Sequence, residues 1–302
     1  MKIAISGLGK MGMQIVRKLT EDGHEVIAHD INASAIDEAN TYNAIPAATP
    51  KEVVGAFKEG EQFVVWIMVP SGVVDDTLAN WLEIMPKGSI IIDGGNSDFR
   101  LTKERSKKVS SAGSYLIDCG TSGGVWGYKN GFAMMVGGDE ASFKKVEPVL
   151  QTLAKPEGAY HYFGESGAGH FVKMTHNAIE YGMMQSLAEG YQLLKDGPYK
   201  TIDLGAAGEV WQHHSVITSW LNELCRDALK ANPELSGIDG FVAESGEARW
   251  ALEVAKEFAV PTPSIQASFN VRLASQKGVT NFATKLLAAM RNAFGGHQIN
   301  KS

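Results

Sequence analysis

The chain has 302 residues, 44% of them hydrophobic, and its 28 basic and 34 acidic side chains leave a formal charge of −6. This length and apolar content allow a full core and two domains, whereas the acidic balance argues against a nucleic-acid or anionic-membrane binder, which needs a basic surface. No apolar run approaches the roughly 20 residues of a bilayer span; Cys119 and Cys225 stand far apart, with no CxxC, metal-ligand spacing or signal-peptide pattern, so a cytoplasmic protein without a metal is expected.

Residues Lys2 to Ser6 read as a short buried strand that runs directly into Gly7, Leu8, Gly9, Lys10, Met11 and Gly12, the opening of an amphipathic helix through residue 19. Strand, GxGxxG and helix form the order that a dinucleotide cradle requires. Gly7 serves the tight turn, Gly9 the close approach of backbone to a pyrophosphate, and Gly12 the packing of helix on strand. The helix N-terminus offers N–H groups to the anion. A second strand, Glu25 to His29, ends in Asp30, where a carboxylate accepts hydrogen bonds from a ribose 2′-OH and repels a 2′-phosphate. Ile31, Asn32 and Ala33 bring no arginine to that spot, so NAD is expected over NADP unless a distant Lys or Arg folds in.

Further strands are predicted over residues 62–69, 89–93, 115–119 and 131–136, alternating with helices as in a doubly wound sheet. Ligands bind at the carboxyl ends of such strands, and three loops are expected there. Met68, Val69 and Pro70 lead into Ser71-Gly72 and are placed to pack beside a nicotinamide. Asp93-Gly-Gly-Asn96-Ser97 carries an amide and a hydroxyl on a glycine-loosened turn, and Thr121-Ser122-Gly123-Gly124 offers a hydroxyl and bare N–H groups. Each taken alone also fits an ordinary turn.

From the glycine-rich passage at residues 164–169 the pattern becomes helical, which divides the chain into a dinucleotide-binding Rossmann domain (1–166) and an all-helical domain (167–302). The fold class is therefore α/β, an N-terminal Rossmann-type doubly wound sheet followed by an all-α domain. A long helix to about residue 195 carries Lys173, His176, Asn177, Glu180 and Tyr181 on one stripe, since positions three, four and seven apart share a face. Its apolar flanks (Phe171, Met174, Ala178, Ile179, Met183, Met184) predict a largely buried helix whose polar stripe faces a cavity; a solvated polar face is the alternative. Lys173 and Glu180 lie two turns apart, about 10 Å along the axis. His213-His214 reads as structural.

These motifs together resemble the decarboxylating 6-phosphogluconate dehydrogenases, in their short form, within the β-hydroxyacid dehydrogenase superfamily. The resemblance runs nearly end to end and rests on Gly7-Leu-Gly-Lys-Met-Gly12, Asp93-Gly-Gly-Asn-Ser97, Ser122-Gly-Gly124, Lys173-Met-Thr-His-Asn-Ala-Ile-Glu-Tyr181 and Arg291-Asn-Ala-Phe-Gly-Gly-His297. It implies NAD-dependent oxidative decarboxylation of 6-phosphogluconate to ribulose 5-phosphate and CO₂, a step of the pentose phosphate pathway. Lys173 takes the proton of the C3 hydroxyl as hydride leaves for the nicotinamide, and Glu180 protonates C1 after CO₂ departs. By the same resemblance His176 and Asn177 belong to the catalytic group with Lys173 and Glu180. Asn96, Ser122, Gly123 and Gly124 bind the carboxylate and hydroxyls, Asn96 also lying near the cofactor, and Tyr181 and Arg272 bind the phosphate. Arg291 and His297 reach a neighbouring subunit's site in a homodimer or homotetramer.

The run Glu244-Ser-Gly-Glu-Ala-Arg-Trp250 departs from the Lys-Gly-Thr-Gly-Lys-Trp of longer members, so Ser245 stands in place of a phosphate-binding lysine. Two other readings stay open: a non-decarboxylating NAD-dependent 3-hydroxyacid dehydrogenase, and a non-catalytic NAD-binding protein that retains the fold.

Overall fold

Alternation with a period of two sorts the strand residues of the N-terminal unit onto two faces. Along residues 64–67, Val64 and Trp66 join Ile3, Ile5, Ile90 and Ile92 in one apolar cluster, whereas Val65 and Ile67 join Ala4 and Ile91 in another. A sheet buried on both faces reads as a continuous apolar run and needs helices on either side. The computed structural model of the chain describes residues 1–300 and has that architecture.

The strands are β1 (Lys2–Ser6), β2 (Glu25–His29), β3 (Ile45–Ala47), β4 (Val64–Ile67), β5 (Ile90–Asp93), β6 (Tyr115–Ser122), β7 (Ala133–Gly138) and β8 (Ala159–Tyr162). Between them run α1 (Lys10–Glu21), α2 (Ala33–Thr41), α3 (Pro50–Gly55), α4 (Val74–Ile84), α5 (Phe99–Ser111), α6 (Gly127–Asn130) and α7 (Glu140–Ala154). The sheet order is β3-β2-β1-β4-β5-β6-β7-β8, parallel throughout except where β7 runs against β6. Residues Ser6, Ile67, Asp93 and Asp118 stand in register across β1, β4, β5 and β6, so the loops after β1, β4 and β5 leave from one edge. The order reverses beside β1, and a topological switch point of this kind is where such sheets take ligands.

The sequence pattern missed two strands. β3 has only three residues, one of them Pro46, and β8 is a four-residue edge strand with partly exposed side chains; edges this short carry too little alternation to be seen. The strand predicted over 62–69 is confined to Val64–Ile67, because Met68 is already turning into the next loop.

The chain packs as two units, Met1 to Met174 and Thr175 onward. Helix α8 (Ala168–Asp196) starts in the first and continues in the second, which also contains α9 (Leu204–Gln212), α10 (Trp220–Ala231), α11 (Glu247–Glu257), α12 (Pro263–Ser275) and α13 (Phe282–Gly295). Met184, Ala188 and Tyr191 of α8 pack with Leu224, Cys225, Leu286 and Met290 in the core of this unit. Among the described residues no helix is long and apolar enough to cross a membrane.

Half of one expectation for α8 is corrected. Met174, Ala178 and Met184 are buried as expected, but Phe171, Ile179 and Met183 are 39%, 52% and 46% exposed, while Lys173, Asn177 and Tyr181 are buried. The two rows are offset by two residues, about 200° around the helix, so burying the polar row turns the apolar row outward.

Candidate active site

The glycine loop lies between β1 and α1, with Gly7 at φ +99°. A Cβ on Gly7 would lie 2.5 Å from the Met68 carbonyl oxygen, and one on Gly12 only 2.0 Å from the Gly7 oxygen. These two glycines therefore serve the fold. A Cβ on Gly9 meets nothing of the protein within 4 Å; Gly9 caps α1 with no side-chain hydrogen bond, and the amides of Lys10 and Met11 begin the helix. Asp30 follows β2, its Oδ2 accepting from the Leu8 amide at 2.5 Å and its Oδ1 from the Asn32 amide at 2.8 Å. The acid expected at the ribose thus also holds the loop expected at the pyrophosphate. A bare-backbone turn, an open helix N-terminus and an acid at the second strand's end fit a dinucleotide.

Met68, Val69 and Pro70 leave β4 at the same edge, Met68 N donating to Ser6 O at 2.8 Å. After β5, Asp93 is 1% exposed and accepts from Ser97 Oγ at 2.8 Å and Gly95 N at 3.2 Å. Arg105 Nη1 stands 3.8 Å from Asp93 Oδ2, and its Nε and Nη2 are paired with Asp75. This buried ionic group shapes the turn that presents the exposed Asn96. Ser122 ends β6, followed by Gly123 and Gly124 at φ +136° and +53°; Gln14 of α1 donates to Gly124 O and accepts from Tyr128 N, fastening this loop to the nucleotide-side helix.

Lys173, 5% exposed, sits over β6. A Cβ on Gly120 would lie 2.2 Å from Lys173 Cβ, and one on Gly169 would lie 2.4 Å from Met135 O. The first turn of α8 therefore rests on bare strand backbone. Asp118, fully buried on β6, accepts from the amides of Gly167 and His170 at 2.8 and 3.0 Å. A carboxylate at a helix N-terminus satisfies amides that the helix itself cannot and opposes the positive end of its dipole. Thr102 Oγ1 and His170 Nδ1 are joined at 2.8 Å in the same buried layer.

In the second unit the α8 stripe is a connected polar group. His176 Nδ1 donates to Asn177 Oδ1 at 2.9 Å and lies 3.9 Å from Glu180 Oε2. Asn177 Nδ2 donates to Glu247 Oε1 at 3.1 Å. Tyr181 Oη and Ser245 Oγ are 3.0 Å apart, and Ser245 donates to Glu247 Oε2 at 2.7 Å. Arg272, 1% exposed, lays its guanidinium over the Tyr181 ring at 3.3 Å, with Nη1 to Ala243 O and Nη2 to Met184 Sδ. Burial pushes the guanidinium down to about 10, and Arg291 is pushed down by the same cause; burial raises the Tyr181 phenol. Arg272 is thus held by a carbonyl, a thioether and an aromatic face rather than by a carboxylate at contact distance, and a buried cation of this kind suits an anionic ligand.

Arg291 is 7% exposed, in electrostatic reach of Tyr181, Glu180 and Glu247, because α13 buries it with Leu287 and Met290 on its inner face. His297 lies beyond that helix, exposed, its carbonyl accepting from Asn292 Nδ2. His213 pairs with Glu209 at 2.8 Å away from the stripe. No cluster of metal-ligating side chains occurs among the described residues. The roles of Asp93, Arg105, Asp118 and Glu247 escaped the sequence reading; for Asp93 and Asp118 the signal was an acid at the end of, or within, an apolar strand.

This fold and these residues define a dinucleotide-binding dehydrogenase with a helical C-terminal unit. Residues 2–165 match the NAD binding domain of 6-phosphogluconate dehydrogenase and residues 169–281 the 6-phosphogluconate dehydrogenase C-terminal domain. The chain belongs to the 6-phosphogluconate dehydrogenase family. It is 39% identical over 301 residues to the Bacillus subtilis protein named "Putative 6-phosphogluconate dehydrogenase YqeC", covering 100% of both chains. It is 36% identical to a Haloferax volcanii protein named "6-phosphogluconate dehydrogenase, NAD(+)-dependent, decarboxylating", covering 99% of this chain and 98% of that one. Among solved structures, a Plasmodium falciparum 6-phosphogluconate dehydrogenase superposes with a TM-score of 0.82 at 26% identity, over 92% of this chain and 62% of that longer one. A Mycobacterium tuberculosis 3-hydroxyisobutyrate dehydrogenase shares the fold, with a TM-score of 0.72 at 22% identity over 95% of this chain and 98% of that one.

Proposed function

We propose that the protein catalyses oxidative decarboxylation of 6-phosphogluconate to ribulose 5-phosphate and CO₂, with NAD as the electron acceptor. The observation that carries this reading is a lysine and a carboxyl seven residues apart on α8, followed at once by Tyr181, on whose ring the buried Arg272 is stacked. A base, an acid and a phosphate-binding cation are what the reaction needs.

NAD, when bound, accepts two electrons and a hydrogen from C3 of the sugar acid. Lys173 takes the proton from the C3 hydroxyl, leaving a 3-keto acid. The carboxylate is then β to a carbonyl, and Lys173 returns its proton toward that oxygen as CO₂ leaves. Glu180 delivers a proton to C1 of the resulting enediol. Asn96, Ser122, Gly123 and Gly124, with His176 and Asn177, hold the carboxylate and hydroxyls; Arg272, Arg291 and Tyr181 hold the phosphate. Gly7 to Gly12, Asp30 and Met68 to Pro70 hold the dinucleotide, and Asp30 disfavours a 2′-phosphate, in keeping with the name of the haloarchaeal relative. In this reading the chain works as a dimer or tetramer to which the exposed His297 contributes.

The deciding assay supplies 6-phosphogluconate with NAD or NADP and records reduced nicotinamide and CO₂ together. Equal amounts of both products, formed faster with NAD, are expected. Reduced cofactor without CO₂ would make it a simple hydroxyacid dehydrogenase, and neither product would overturn the reading.

A further inference from the structure

The arginines at the expected phosphate end do not stand alone. Glu247, the first residue of α11, is 4% exposed, and each of its oxygens accepts a hydrogen bond, one from Asn177 Nδ2 and one from Ser245 Oγ. Since Ser245 gives its only hydroxyl proton to Glu247, Tyr181 Oη is the donor to Ser245. Donated hydrogen bonds thus converge on Glu247 from both sides, along His176, Asn177 and along Tyr181, Ser245. Both Glu247 oxygens are thus met by polar partners, and its carboxylate acts electrostatically on Arg272 and Arg291. The end of this chain that touches Tyr181 is the end over which Arg272 is stacked at 3.3 Å.

We propose that Glu247 is a specificity-determining residue. Its fixed negative charge offsets part of the positive charge of Arg272 and Arg291, so the site separates phosphorylated from unphosphorylated aldonates less sharply than two unopposed arginines. A phosphate dianion gains from the arginines but is repelled by Glu247 and has no proton to give it; a terminal hydroxyl has one to donate. The protein is therefore expected to accept both gluconate and its 6-phosphate. This inference rests on the function proposed above only in assigning the arginines to the phosphate. The plain alternative is that Glu247 is a helix-start acid whose charge complements the dipole of α11 and nothing more.

The test compares Glu247→Gln and Glu247→Thr, both neutral, with Glu247→Asp, which keeps the charge. For each, kcat/KM is measured with 6-phosphogluconate and with gluconate, inorganic phosphate affinity by calorimetry, and folding by thermal melt. The neutral variants should raise the ratio of kcat/KM for phosphorylated over unphosphorylated substrate about tenfold or more and tighten phosphate binding about tenfold. Glu247→Asp should keep both near wild type. An unchanged ratio and phosphate affinity in the neutral variants, or the same change in all three, would overturn the proposal. If the wild type turns over neither sugar acid, the proposed function fails while calorimetry with phosphate still decides the role of Glu247.

Discussion

Gly120 and Lys173 are packed so closely that a Cβ on the glycine would lie 2.2 Å from Lys173 Cβ. That contact involves the base of the lysine side chain, which cannot swing aside without moving the α8 backbone. Gly120→Ala is therefore expected to shift the lysine, and a misplacement of about 1 Å at a reacting group costs on the order of 100-fold. The measurement is kcat with 6-phosphogluconate alongside NAD affinity; kcat should fall about 100-fold while NAD affinity holds. Unchanged kcat would show that the helix absorbs the methyl.

Asp118 closes the start of the same helix. Asn in its place has one acceptor oxygen for two amides and turns its own N–H toward the other, leaving buried donors unmatched. A loss of about 2 kcal/mol is expected, read from urea unfolding midpoints, with Asp118→Ser recovering little because its hydroxyl reaches a single amide.

The three loop glycines separate fold from cofactor. Gly12→Ala drives a Cβ to 2.0 Å from the Gly7 oxygen and should lower thermal stability, whereas Gly9→Ala meets no protein atom and should melt like wild type. Only the latter isolates the cofactor: its methyl occupies the approach of a pyrophosphate, and NAD affinity should drop at least tenfold, or about 1.4 kcal/mol.

Asp30 has two tasks, and its replacement should show both. Asp30→Ala removes the acceptor for the Leu8 and Asn32 amides, so affinity for both dinucleotides should weaken as the loop loosens. The NAD over NADP preference should also shrink or invert, since repulsion of a 2′-phosphate is gone. Fluorescence titration with each cofactor checks the two effects separately, and an unchanged preference would remove Asp30 from the discrimination.

Arg272 should matter to both stability and binding. Its guanidinium is 1% exposed among a carbonyl, a thioether and an aromatic face, in electrostatic reach of Glu180 and Glu247. Removing one member of a buried charged group leaves the opposite charges uncompensated, which is destabilising. Arg272→Met is expected to melt at lower temperature while KM for 6-phosphogluconate rises tenfold or more. A lower melt with KM unchanged would mean that the arginine is chiefly structural.

Those parts of this protein whose physics is contiguous along the chain could be read before any folding. The glycine loop was legible because turn, anion approach and helix packing fall within six residues, and β1, β2 and α8 because their periodicity is long or their ends are marked. The α8 stripe was legible for the same reason, since helical spacing alone puts Lys173, Asn177 and Tyr181 in related rows. Which row is buried was not legible, because both rows contain residues able to pack, and only the surroundings choose between them. The tertiary structure alone brought Asp118 under the start of α8, set Gly120 beneath Lys173, and joined Glu247 to Asn177 across 70 residues of chain. Each of these depends on a charge or a missing side chain meeting a partner far away in sequence, and no local pattern records that meeting until sheet and helices have packed.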